Sequence, residues 1–183
     1  MELVQVISQK RSQKLIADFL IVLSTSLLFG LSSWIAIRFP FSPIPISFTA
    51  HLILMFSVLL GKRGAYATWL YLIQGALGFP VFSNGGSGLA YILGPTGGYL
   101  VGFAIASYVV AILSTELKEK SPSKIFGILL LGNALIYVFG LPHLGVLVGT
   151  ANAFKLGFIP FIGGDLLKLI FANRSLKFLK YFD

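Results

Sequence analysis

The stretch from Phe161 to Lys168, FIGGDLLK, sets a carboxylate and an ammonium three residues apart in an otherwise apolar segment. On a helix that spacing brings Asp165 and Lys168 to one face. Charged side chains within an apolar helix are costly, and they turn toward a cavity or a partner. Two chemistries follow. The pair can be a structural ion bridge that fixes the helix. It can also be a ligand site, with a carboxylate to accept N–H groups and an ammonium to neutralise an anion. Gly163 and Gly164 place Asp165 near the expected start of the last helix, where a carboxylate also suits the helix dipole.

A second stretch invites a different chemistry. Residues 84–99 read NGGSGLAYILGPTGGY, with six glycines and no charge. A Walker loop requires G-x-x-x-x-G-K-[ST], whose Lys reaches the β- and γ-phosphates. This loop has no Lys or Arg, and a dinucleotide loop would need a strand and a βαβ unit around it. Nucleotide binding is therefore excluded as the reading of this loop. Glycine lets a ligand approach the main chain. Asn84 both donates and accepts hydrogen bonds, and Tyr91 and Tyr99 each add a flat ring and a hydroxyl. These groups suit a neutral polar ring better than a phosphate, and the neighbouring Phe82 offers a further ring to pack on it.

The remaining candidates are sparse. In FSPIPISFTAHL, Pro43 and Pro45 hold the backbone extended, and Thr49 and His51 follow at the start of a helix. A lone His in such a helix is more often a helix–helix hydrogen bond than a ligand contact, and Gln74 either lines the interior or bonds a neighbouring helix. His143 has no evident partner. The chain lacks Cys, and its two His and six acids are scattered. A metal site is not expected, nor is any cofactor.

The elements that must position these groups are membrane helices. The 183 residues are 56% hydrophobic and only 11% charged, with a mean hydropathy of +0.90. Such a chain has too little polar surface to cover itself in water. The expected fold is an all-α membrane protein, one integral domain over residues 1–183, built as a bundle of six transmembrane helices. The spans fall at about 15–37, 45–60, 65–79, 95–116, 125–141 and 162–180, the fifth stopped near Pro142. The second and third are short. The polar, basic leader up to Lys14 is followed by an apolar run with no small-residue cleavage site.

Charge orients the bundle. Lys10, Arg11 and Lys14 precede the first span, Lys62 and Arg63 follow the second, and Lys118, Lys120 and Lys124 follow the fourth. With Arg174, Lys177 and Lys180 these make eleven of the fourteen basic residues on one side, against Arg38, Lys155 and Lys168 on the other. Both termini are then cytoplasmic, and the net charge of +8 reflects membrane orientation, not nucleic acid. The outer loops, 38–44, 80–94 and 142–161, are rich in Gly, Pro, Phe, Asn and Ser. Backbone of this kind belongs over a cavity, which puts the ligand pocket near the outer face. On the first helix Ser26, Gly30 and Ser33 form a small-residue stripe, suited either to packing within the chain or to docking on a partner subunit.

Three patches in order along the chain carry a resemblance: SPIPISFTAHL, GSGLAYILGPTGGYLVGF and LGFIPFIGGDLLK. Together they resemble the BioY family, the biotin-specific S components of energy-coupling factor (ECF) vitamin transporters. The resemblance covers roughly residues 20–175. It implies a multi-pass protein of the bacterial cell membrane that captures biotin from outside. It also implies partners: a transmembrane coupling subunit and two ATPase subunits that supply the energy. The family's acidic and basic pair maps onto Asp165 and Lys168, and its glycine loop onto Asn84–Tyr99. Many members carry Gln where this chain has Thr49, and the shorter side chain loses one polar contact or routes it through water. Biotin's ureido N–H groups would meet Asp165 and Asn84, its rings Phe82, Tyr91 and Tyr99, and Lys168 would either neutralise its carboxylate or hold Asp165 charged.

Two other readings compete, an S component for a different vitamin and a small membrane enzyme. The enzyme would need convergent His, Asp or Ser groups at one depth. The missing Walker Lys gives a first expected outcome. The purified chain alone should neither bind nor hydrolyse ATP, and ATPase activity above a detergent blank would contradict the loop assignment.

Overall fold

The computed structural model describes residues 2–37, 40, 42–117 and 121–179. Arg38, Lys118, Lys120 and Lys180, four of the residues used to orient the chain, lie outside them. Eight α-helices and one two-stranded hairpin are present among the described residues. Helix α1 (Glu2–Trp34) leads into strands β1 (Ala36–Ile37) and β2 (Ile46–Ser47), followed by α2 (Thr49–Leu60) and α3 (Lys62–Ala76). A 3-10 turn (Ser83–Gly85) and the short α4 (Gly88–Leu93) precede α5 (Gly97–Glu116). Then come α6 (Pro122–Val148), α7 (Thr150–Gly157) and α8 (Ile159–Leu179). Three helices are long and apolar enough to cross a membrane: α1 from Lys10, α5 and α6. With 12 and 15 residues, α2 and α3 are short, as their sequences suggest. At 1.5 Å per residue α2 is only about 18 Å long.

The connections follow from local chemistry. The chain returns on itself with Ala36 opposite Ser47 and Ile37 opposite Ile46, and it bends at Pro43 and Ile44 on the way. The reversal between α2 and α3 takes a single residue, Gly61, at φ +57°, a conformation costly for any side chain. Helix α6 differs from expectation. It does not stop at Pro142 but runs through it to Val148. Proline removes one main-chain donor, and a long helix packed along its length tolerates that loss. The expected outer loop 142–161 is consequently mostly helical: the end of α6, all of α7 and the start of α8.

The most extensive helix contact is between α5 and α6. Gly98, Gly102 and Ala106 recur every four residues on α5, the spacing that lets two membrane helices approach closely. A Cβ on Gly102 would stand 2.8 Å from the Ile136 Cα, so main chain meets main chain. In return Gly140 of α6 receives the Tyr99 ring. A second core forms where Phe29 of α1 and Ile53 of α2 meet Tyr71 of α3, Phe82 and Leu100.

The small-residue stripe of α1 is used within this second core. Ser26, Gly30 and Ser33 are buried, a Cβ on Gly30 would already touch Val81, and Ser33 Oγ donates to the carbonyls of Gly30 and Val81. The docking reading of the stripe is therefore corrected: its small side chains admit the 80–82 segment of the same chain. Beyond Ser33, five side chains tie the loops at this end of the bundle through main-chain carbonyls. Trp34 Nε1 donates to Pro80 O at 2.7 Å, Ser42 Oγ to Leu156 O at 2.8 Å and Tyr99 OH to Gly157 O at 3.0 Å. His143, which lacked a partner in the sequence, has its Nε2 2.9 Å from Gly94 O. Lys168 Nζ donates to Ser47 O at 3.3 Å. At the opposite end Arg63 and Asp18 make a half-exposed ion pair at 2.7 Å, a contact that contributes little in such a setting.

The α5–α6 seam gives a direct comparison. Gly102→Ala forces two backbones apart and should lower stability by about 1–3 kcal/mol, the range for overpacking. Gly163→Ala has nothing within 4 Å of the added methyl and should not destabilise. Thermal unfolding of the two variants in one detergent separates them, and equal melting temperatures would contradict the seam.

Candidate ligand-binding site

A cavity opens at the end of the bundle held by these loop ties, with about 710 Å³ of empty space including its open mouth. The hairpin supplies Pro45 and Ser47, α2 Thr49 and His51, α3 Tyr71, α5 Tyr99 and Phe103, α6 Asn133 and Tyr137, and α8 Asp165 and Lys168. A second recess beside it, lined by Pro43, Ala90 and Pro95, shares Pro45, Tyr91 and Thr96 with the main cavity.

Asp165 is the hub. Its residue is 8% exposed, and its carboxylate meets groups from three helices. Tyr137 OH donates to Oδ2, Lys168 Nζ stands 3.8 Å from Oδ1 and His51 Nε2 stands 3.6 Å from Oδ1. Asn133, one turn before Tyr137, faces the same carboxylate. A buried charge requires this surround, because removing a partner leaves it uncompensated at a cost of roughly 3–5 kcal/mol. Lys168 spans from Asp165 to the Ser47 carbonyl, so one ammonium joins α8 to the hairpin. The shared face of Asp165 and Lys168 matches the sequence reading. The dipole argument does not hold, because α8 begins at Ile159 and places Asp165 beyond its first turn.

The other candidates divide. Tyr91, Tyr99 and Thr49 line the cavity as expected. Thr49 is almost fully buried, and its hydroxyl is 3.0 Å from Ser32 Oγ on α1. Phe82 does not reach the cavity. It is fully buried between the Tyr71 ring, edge-on at 5.5 Å, and the Tyr91 ring, stacked at 5.1 Å. It fits only because Gly75 lacks a Cβ that would run into its ring. Phe82 therefore holds two cavity-lining tyrosines in place. Asn84 is exposed, at φ +58° in the 3-10 turn, and its neighbour Ser83 lines the cavity instead. Asn84 serves the left-handed backbone position, which Asn tolerates better than most residues.

His51, a helix–helix hydrogen bond in the sequence reading, also lines the site, and two site residues have no place in that reading: Asn133 and Tyr137. The signal for the last two was present, since Asn133 and Tyr137 are spaced i, i+4 on an apolar helix and share a face. Among the described residues no three His, Cys, Asp or Glu side chains gather as a metal site. The cavity offers one carboxylate, one ammonium, an amide, an imidazole and several tyrosines. That combination can accept N–H groups and can pack against apolar faces.

A sequence profile of the BioY family matches residues 7–180. The chain belongs to the BioY family. Among its BioY relatives is the "Biotin transporter BioY" of Thermotoga maritima, 34% identical over 142 residues, which cover 76% of this chain and 82% of that one. Another is the "Biotin transporter BioY2" of Lactococcus lactis, 32% identical over 167 residues and 89% of each chain. The fold matches a crystal structure described as the S-component for biotin from an ECF-type ABC transporter, with a TM-score of 0.84 at 22% identity. That match covers 92% of this chain and 93% of the other. Relatives in this family are named biotin transporters, and this chain is a helical membrane protein with the fold of an S component.

Tyr137→Phe leaves the ring in place and removes the hydroxyl that donates to Asp165. It should lower stability by about 1.5–3 kcal/mol, the range for hydrogen bonds to charged groups. An unchanged melting temperature in detergent would mean that Tyr137 does not support the carboxylate.

Proposed function

We propose that this chain is a biotin-binding S component that mediates biotin uptake within an ECF-type transporter of the bacterial cell membrane. The observation that carries the proposal is the buried Asp165 carboxylate, which faces the cavity and is surrounded by hydrogen-bonding groups. Biotin presents two ureido N–H donors, one carbonyl acceptor, an apolar thiophene ring and a carboxylate tail. Asp165 accepts a ureido N–H, and Asn133 supplies an amide beside it. Tyr91 and Tyr99 form apolar walls for the rings. Lys168 holds Asp165 charged and ties it to the hairpin, which leaves the ligand's carboxylate to the open mouth.

The eight helices group into six spans: α1, the hairpin with α2, α3, α5, α6 and α8, with α4 and α7 as short helices in the outer connections. The basic residues then put both termini in the cytoplasm and the cavity near the outer face. No cofactor is required for binding. A transmembrane coupling subunit and two ATPase subunits supply the energy, and ATP hydrolysis belongs to them. The relatives named biotin transporters and the S-component fold support this arrangement.

The test is binding of labelled biotin to the purified protein, with riboflavin and thiamine as competitors. Binding displaced by biotin but by neither competitor is expected, and displacement by one of them would assign the site to another vitamin. Asp165→Asn should weaken biotin at least about tenfold, as loss of a charged hydrogen bond does. Unchanged affinity in a calorimetric titration would remove Asp165 from the site.

A further inference from the structure

His51 is the residue of the cavity whose chemistry is least satisfied. It is 2% exposed, it lines the cavity, and neither ring nitrogen has a hydrogen-bond partner among the described residues. Its ring stacks on Phe48 at 6.1 Å, which fixes its plane. Its Nε2 stands 3.6 Å from Asp165 Oδ1. That is near enough to attract but too long for a hydrogen bond, whose heavy atoms lie about 2.7–3.2 Å apart. Other buried polar groups in the cavity are matched: Tyr99 to Gly157, Tyr137 to Asp165 and Lys168 to Ser47. A buried donor or acceptor without a partner costs about 1–3 kcal/mol, and a ligand that supplies the partner recovers that cost.

We infer that His51 and Asp165 act as a paired donor and acceptor for one edge of the ligand's cyclic urea, with His51 donating to the ring carbonyl while Asp165 accepts the adjacent N–H. A neutral imidazole carries one N–H and one bare nitrogen, and the neighbouring hydrogen bond decides which is which. The carboxylate beside Nε2 favours the proton there, so the atom presented next to Asp165 is a donor. A carbonyl and an N–H on adjacent atoms of a ligand meet a donor and an acceptor on adjacent side chains. A ring with only apolar or only acceptor edges would leave one of the two unmatched, so the pair selects against it. Thr49 does not supply this donor alone, because its hydroxyl is engaged with Ser32. The inference rests on the biotin reading and adds a specificity-determining residue to it.

The test compares biotin with its 2-thio analogue, whose C=S is a weaker acceptor of similar shape, by calorimetry on the purified wild type, His51→Phe and His51→Gln. Phenylalanine keeps the ring stacked on Phe48, and glutamine restores an N–H donor. The wild type should prefer biotin over the thio analogue by about tenfold, as loss of one good acceptor predicts. His51→Phe should weaken biotin by about tenfold, nearly erase the preference, and leave the thio analogue within about threefold. His51→Gln should recover most of the preference. Equal weakening of both ligands by His51→Phe would make His51 a shaping residue and overturn the inference, as would an unaffected preference. Absence of biotin binding by the folded wild type would overturn the biotin reading itself.

Discussion

A carboxylate placed inside an apolar bundle must be partnered, and much of the architecture at this end of the molecule follows from Asp165. It belongs to α8, yet its partners come from α2, α6 and its own helix. Three helices must therefore converge on one carboxylate at one depth. Lysine alone would not suffice, because an ion pair in a low-dielectric setting is stable only when the remaining lone pairs are also met. Tyr137 and Asn133 meet them from α6, and Lys168 in turn finds a second acceptor in the hairpin.

The glycines supply the closeness this convergence needs. Gly102 lets α5 lie against the main chain of α6 at Ile136, the residue just before Tyr137. Gly140 lets the Tyr99 ring lie on α6 and reach Gly157 with its hydroxyl. Gly75 makes room for Phe82, which sets the rings of Tyr71 and Tyr91. Within the glycine-rich stretch itself, Gly86 makes room for the Tyr91 ring and Gly97 and Gly98 abut Ile92 and the α6 main chain, so these glycines serve packing.

Much of this was legible in the sequence, and the exceptions have physical reasons. Apolar composition marked a helical membrane protein, and the three-residue spacing of Asp165 and Lys168 placed both on the correct face. Phe82 and Asn84 were misplaced because proximity in a loop says nothing about which way a side chain turns. Phe82 turned inward because Gly75, seven residues upstream, left a space. Pro142 reads as a stop by local chemistry, but α6 runs through it because packing along the helix overrides the lost donor. His51 was read as a helix–helix hydrogen bond, the commonest role for such a residue, and only three-dimensional placement beside Asp165 distinguished it. The stripe on α1 suits packing and docking equally in sequence, and its occupant, Val81, is invisible to periodicity.

The loop ties around the pocket share one property. Trp34, Ser33, Ser42, Tyr99, His143 and Lys168 each meet a main-chain carbonyl, at Pro80, Val81, Leu156, Gly157, Gly94 and Ser47. Every amino acid carries that carbonyl, so the information for the anchor resides in the helix-borne or hairpin-borne side chain alone. Loop identities can then drift over evolutionary time while the mouth of the pocket keeps its shape. Gly157 is an exception, since a Cβ there would stand 2.5 Å from the Tyr99 hydroxyl. The rim of this site is a variable text on a fixed frame, open to revision by mutation without loss of the geometry beneath it.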